Sequence, residues 1–163
     1  MAKRKTRSVG KSDAEAYLAK ADQFLNTMEQ AIQARQWDSA GLQAVHSVIS
    51  ASDALLAYER AGSRAGVAGA LNALGEAARA VGDLDAATDA YRRSHKMSMA
   101  VGAAVTASVA EINLALVLLA KGDYRDARHV LQKALPQLER AGRSMLVAPV
   151  RVALLTAIAG TGD

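Results

Sequence analysis

Apolar residues recur along most of this chain at spacings of three and four, which is the period of an amphipathic helix. The first helix is predicted to begin at a capping Ser12 or Asp13 and to run to about Ala34. A second begins at Gln36 and ends near Gly62, which fits a C-terminal cap. The predicted core-facing stripe of the first consists of Tyr17, Leu18, Ala21, Phe24, Leu25, Met28 and Ile32, and the second carries Leu42, Val45, Ile49, Leu55 and Leu56.

From Val67 onward the pattern repeats with a period of about 40 residues, as in helical repeat proteins. A glycine can end a helix in the left-handed conformation, and the aspartate that follows can cap the next helix. Such signals recur at Gly82-Asp83, Gly122-Asp123 and Gly162-Asp163, and the same interval separates Gly102 from Gly142. A helical hairpin therefore repeats over 67–102 and 103–142, followed by an incomplete unit over 143–163 in which Pro149 is expected to bend or delay the helix.

These patterns predict an all-α fold. About seven antiparallel helices form hairpins that stack as a short α-solenoid or bundle with one continuous core. The predicted parts are a basic flexible tail over 1–11, a helical hairpin over 12–66 and the repeats over 67–163. No sheet is expected, because the few Val-rich stretches are diluted with Ala and Ser.

Composition excludes several kinds of chemistry. The chain has no cysteine, so disulfides, thiolate metal sites and thiol nucleophiles are ruled out. His46, His95 and His129 lie on different predicted helices without metal-ligand spacing, and His46 is predicted to form a buried polar pair with Asp53. No serine-nucleophile or phosphate-loop motif is present. We therefore expect no enzyme activity, no cofactor and no metal.

The charge pattern points away from nucleic acid. Five basic residues near the N-terminus account for the net charge of +4, so the remaining body is close to neutral. The densest basic cluster in the body is Arg92, Arg93, His95 and Lys96, and almost no aromatic residues are available to stack bases. The chain also lacks a secretory signal and an uninterrupted apolar stretch long enough for a membrane span. A cytoplasmic protein is predicted.

Two resemblances follow, each from particular residues. The repeat is marked by Leu74-Gly75, Gly82-Asp83, Ala87 and Tyr91 and by their counterparts Leu114-Ala115, Gly122-Asp123, Ala127 and Leu131. With these residues 67–163 resembles the tetratricopeptide repeat family, which implies an α-solenoid that binds a protein or peptide on its concave, first-helix face. On that face the chain presents Asn72, Glu76 and Arg79, the candidate binding residues, and then mainly Leu116 and Leu119. A clamp for a peptide carboxylate is not supported.

The hairpin over 12–66 is similar to the start of a HEPN domain, through residues 16–21, 37–40 and 44–55. That family includes ribonucleases with an arginine and a histidine close together at the start of a later helix. Arg64 stands where the arginine is expected, but no histidine follows before His95.

The HEPN-like pattern stops where the repeat begins, which favours a chimera. The predicted function is a non-catalytic helical scaffold, engineered or chimeric, without a biological activity of its own. A natural protein- or peptide-binding module, and a HEPN-type RNA-binding protein or ribonuclease, remain alternatives. Self-association is predicted through the last helix, by Leu146, Val150, Leu154 and Leu155.

Overall fold

A computed structural model describes residues 10–162, which form helices joined by short turns. The predicted tail over 1–11 lies mostly outside these residues, as does Asp163. Within the described range the seven helices are α1 (Lys11–Gln33), α2 (Trp37–Arg60), α3 (Arg64–Ala80), α4 (Leu84–Ala100), α5 (Ala104–Lys121), α6 (Tyr124–Arg140) and α7 (Ser144–Thr161). Over residues 10–162 there is no strand. The all-α prediction is confirmed.

The helices lie in two layers. Each helix packs against its neighbour in sequence, and α1 also contacts α3, α3 contacts α5, and α5 contacts α7. Within the described part of the chain the even-numbered helices do not approach one another. The odd-numbered helices therefore form the more closely spaced layer, as on the inner side of a curved helical array.

Glycines end six of the seven described helices at equal intervals. Gly62, Gly82, Gly102, Gly122, Gly142 and Gly162 all have positive φ, and their spacing along the chain is constant. The period of about 40 residues in the sequence therefore corresponds to two successive helices, each with its turn, of equal length. The end of α1 differs, because Arg35 takes the left-handed conformation there with φ of 58°. The interval from Arg35 to Gly62 exceeds the interval between successive glycines, so α2 is longer than the helices of the repeat.

The predicted helix starts are only partly correct. The Asp83 carboxylate accepts a hydrogen bond from the Ala86 amide at 2.9 Å, whereas Asp123 makes no such bond at the start of α6. The first helix is preceded by Gly10 rather than capped by Ser12 or Asp13, because the Asp13 carboxylate reaches back to accept from the Gly10 amide at 2.8 Å. The last helix begins at Ser144, so Pro149 lies within it and does not delay it.

Small side chains form the contact between α1 and α2. Ala44, Ser47, Ala51 and Ala54 of α2 are buried. The helices approach so closely that the Ser47 hydroxyl donates a hydrogen bond to the Ala21 carbonyl of α1 at 3.0 Å. Four of the larger apolar residues of α2 consequently point outward: Leu42, Val45, Ile49 and Leu56 are each about half exposed.

Tyrosines fill the space beside glycines on neighbouring helices. Tyr58 lies over Gly66, Tyr91 over Gly75, and Tyr124 over Gly160, so close that none of these glycines has room for a Cβ atom. At Gly75 an added Cβ would lie 2.6 Å from the ring of Tyr91, which has no exposed surface. In the next unit the equivalent pair is Ala115 and Leu131, both fully buried. The smaller leucine thus leaves room for the larger alanine.

The most apolar helices are α5 and α7. Each is long and apolar enough to cross a membrane by length and composition, with a mean hydropathy of 1.6 over 18 residues. A core helix of a soluble protein can have the same length and composition. In this structure α5 packs against α3, α4, α6 and α7.

We predict that Gly75→Ala lowers the free energy of unfolding by about 1–3 kcal/mol, because the added methyl group collides with Tyr91. The control Gly69→Ala, on the same helix with open space around it, gains helix propensity and should stabilise by about 1 kcal/mol. Combining Gly75→Ala with Tyr91→Leu reproduces the Ala115–Leu131 pair and should cost less than the sum of the single changes. Urea unfolding of all four variants measures this. Equal stability of Gly75→Ala and Gly69→Ala would contradict it.

Candidate functional site

A groove of about 660 Å³ runs between α1 and α3 on the inner layer. It is lined by the apolar residues Leu25, Met28, Ile32 and Ala80 and by the polar residues Asp22, Asn26, Glu29, Glu76 and Arg79. Residues 22, 25, 26, 29 and 32 share one side of α1 because they recur at helical spacing. Residues 76, 79 and 80 recur in the same way on α3. The packing of α1 against α3 therefore creates the site.

A hydrogen-bonded network fixes the Glu76 carboxylate. Its Oε1 accepts from the Asn72 side-chain amide one turn earlier at 2.9 Å, and from Asn113 of α5 at 3.2 Å. The Asn113 amide also donates to the Asn72 oxygen at 3.2 Å. Asn113 is buried and Asn72 partly so. The network thus links α3 to α5 and holds one carboxylate at the edge of the groove.

Burial raises the pKa of Glu76, and this effect outweighs the hydrogen bonds from Asn113 and Asn72, which lower it. The carboxylate of Asp22 on α1 adds to the increase, and Arg79 opposes it. Partial burial also raises the pKa of Asp22. Asp22 has no hydrogen-bond or ion-pair partner in 10–162. Two carboxylates therefore repel each other across the groove.

The Tyr91 hydroxyl lies near these groups. Burial raises the pKa of Tyr91, and the Glu76 carboxylate raises it further, while Arg79 lowers it. The hydroxyl oxygen is inaccessible to solvent and has no hydrogen-bond partner of good geometry. Arg79 itself is exposed and lines the groove.

Two of the three candidate residues from the sequence line the groove. Glu76 and Arg79 line the groove, whereas Asn72 lies outside it and positions Glu76. The contributions of Asp22, Asn26 and Glu29 were missed because the sequence pattern placed α1 in a separate unit. Treating α1 as the first inner helix would have identified them. Leu116 and Leu119 are half-buried and pack against the core cluster formed by α5, α6 and α7.

For other residues, the contacts in the structure differ from those predicted from the sequence. His46 and Asp53 are both exposed, so the predicted buried polar pair is wrong. The His46 ring of α2 instead stacks on Phe24 of α1, with ring centroids 5.1 Å apart. Arg64 is exposed at the start of α3. Within 10–162, no three His, Asp or Glu side chains are grouped so that they could hold a metal ion.

The fold is an all-α array of stacked helical hairpins. A groove lined by both polar and apolar residues lies on its inner layer. No protein-family model matches the chain, and no curated protein matches it.

We predict that Glu76→Gln stabilises the protein at neutral pH by a few degrees in Tm, because the amide oxygen can accept the same two hydrogen bonds without a buried charge. A carboxyl group whose pKa is raised by folding stabilises the folded state at pH values below its unfolded-state pKa. This stabilisation is lost as the pH rises through its folded-state pKa. The wild type should therefore lose stability relative to Glu76→Gln between these two pKa values and match it at lower pH. Thermal melts across this range measure the difference.

The control for this experiment is Glu59→Gln, which changes an exposed glutamate at the end of α2. It should follow the wild type at every pH. A Glu76→Gln variant that is less stable than the wild type at neutral pH would mean that the ionised carboxylate, rather than its neutral shape, holds the network together.

Proposed function

We propose that this protein is a non-catalytic helical scaffold that binds a peptide or protein segment in the groove between α1 and α3. The observation that carries the proposal is the groove itself, which places exposed apolar surface beside fixed polar groups. Ile32, 43% exposed, and the half-buried Leu25 offer contact area, and the Glu76 network offers a polar group held in place. Preorganised sites of this kind lose little entropy on binding.

The charges of the groove favour a ligand with a basic side chain. Asp22, Glu29 and Glu76 contribute three carboxylates and Arg79 one guanidinium, which leaves two negative charges when all are ionised. A lysine or arginine placed between Asp22 and Glu76 would relieve the repulsion between the carboxylates. An anionic ligand would meet the same carboxylates at close range. This supports a basic segment with an adjacent apolar residue.

The resemblance of 67–163 to tetratricopeptide repeats agrees with binding on this face. It differs in the chemistry expected, since family members that clamp a carboxylate present cations and free asparagines. Here the amides of Asn72 and Asn113 are directed to Glu76.

The proposal predicts that peptides selected on this protein from a random displayed library bind in the groove. Ile32→Arg should weaken each of them at least tenfold, because the substitution replaces an exposed apolar contact in the groove with a long cation. Val105→Arg is the matched control, since Val105 is similarly exposed, at 48%, and lies outside the groove. Fluorescence titration of the labelled peptides measures the affinities. Selected peptides that bind both variants equally would overturn the proposal.

We further expect the groove-binding peptides to be basic. Asp22→Asn should weaken them severalfold, and Arg79→Gln should strengthen them by removing a competing cation. Asp38→Asn, which removes an exposed carboxylate from the first turn of α2, controls for net charge. A loss of affinity on Arg79→Gln would instead identify an acidic ligand in the same groove.

A further inference from the structure

The outer face of α2 carries a stripe of four exposed apolar residues, interrupted by one serine, that no other described helix covers. Leu42, Val45, Ile49 and Leu56 are 49–56% exposed, and Ser52 completes the series. Their spacing alternates between three and four residues, so they occupy the a and d positions of a heptad pattern. Contiguous exposed apolar surface of this kind marks an interaction site.

The other faces of α2 are already occupied. Its small residues pack against α1 and α3, and the Ser47–Ala21 hydrogen bond fixes this side toward the core. The stripe is therefore held outward by the packing of the hairpin. A partner helix can reach it without any rearrangement of the fold.

The polar residues beside the stripe indicate the partner. His46 and Asp53 flank it at equivalent e positions, and Asp53 has no ion-pair or hydrogen-bond partner within 10–162. In an antiparallel pair of α2 helices, Ile49 of one copy lies opposite Ser52 of the other, and Val45 lies opposite Leu56. The same register brings His46 of each copy close to Asp53 of the other. In this register the groups that flank the stripe, His46 and Asp53, complement each other across the two copies.

We infer that two copies of this chain associate through an antiparallel contact between their α2 stripes, with His46 of each copy beside Asp53 of the other. The imidazole of His46 is already held in place before the copies associate, because it stacks on Phe24 of its own chain with the two ring planes 28° apart. The contact has two-fold symmetry, so it closes at a dimer and does not extend into a filament. It leaves the groove between α1 and α3 open.

Sedimentation equilibrium of the full chain over a wide concentration range tests this. The expected mass rises from 17.0 kDa toward twice that value. Ile49→Glu should raise the dissociation constant at least tenfold, since it places a charge at the centre of the stripe. Leu155→Glu is the control, because Leu155 is exposed on α7, at 66%. Circular dichroism confirms that each variant is folded.

A charge exchange tests the antiparallel register. His46→Glu should weaken association because it faces Asp53 of the other copy, and adding Asp53→Lys should restore it by creating two new ion pairs. A chain that stays monomeric at millimolar concentration overturns the inference. Dissociation by Leu155→Glu and not by Ile49→Glu also overturns it, in favour of the α7 face. Failure of the charge exchange to restore association rules out this register.

Discussion

Close approach of neighbouring helices is the constraint on which the other features of this protein depend. Helices come close where alanine, glycine or serine stands at the contact. At two hairpins the approach is close enough for a serine hydroxyl to bond the backbone of the opposite helix: Ser47 to Ala21 at 3.0 Å and Ser94 to Ala68 at 2.8 Å. Where a larger side chain enters, as Tyr91 does, the facing residue is glycine. Small residues thus determine which faces are buried.

The same constraint produces both of the exposed surfaces. Because α1 and α2 meet through small side chains, the larger residues Leu42, Val45, Ile49 and Leu56 of α2 lie outside the core and form the outer stripe. On the inner layer α1 and α3 approach each other less closely, and long side chains such as Met28, Glu29 and Arg79 border the groove between them. The outer stripe and the groove therefore both lie where the helices are no longer closely packed.

The features that depend on local chemistry were predicted correctly from the sequence. Helix number and helix ends followed from the period of apolar residues and from glycines that alone adopt positive φ without strain. Prediction from the sequence failed where small residues were involved, since apolar periodicity assigns the large residues Leu42, Val45 and Ile49 to the core. Burial of alanine and serine has a weak sequence signal. The exposed pair His46 and Asp53 was misplaced for the same reason, because the helix face was inverted.

Only part of the candidate site was predicted from the sequence. Some of its residues lie on one helix, whereas others meet only because the helices stack. Glu76 and Arg79 lie one helical turn apart, so a helix pattern alone places them together. Asp22 and Asn113 are both far from Glu76 along the chain, and only the stacking of α1, α3 and α5 brings them to it. The electrostatic character of the groove depends on Asp22, since it is the carboxylate that faces Glu76 without a partner of its own. The change of repeat length at Gly62 hid this contact, because α1 belongs to a hairpin with a different period and yet occupies the next position in the inner layer.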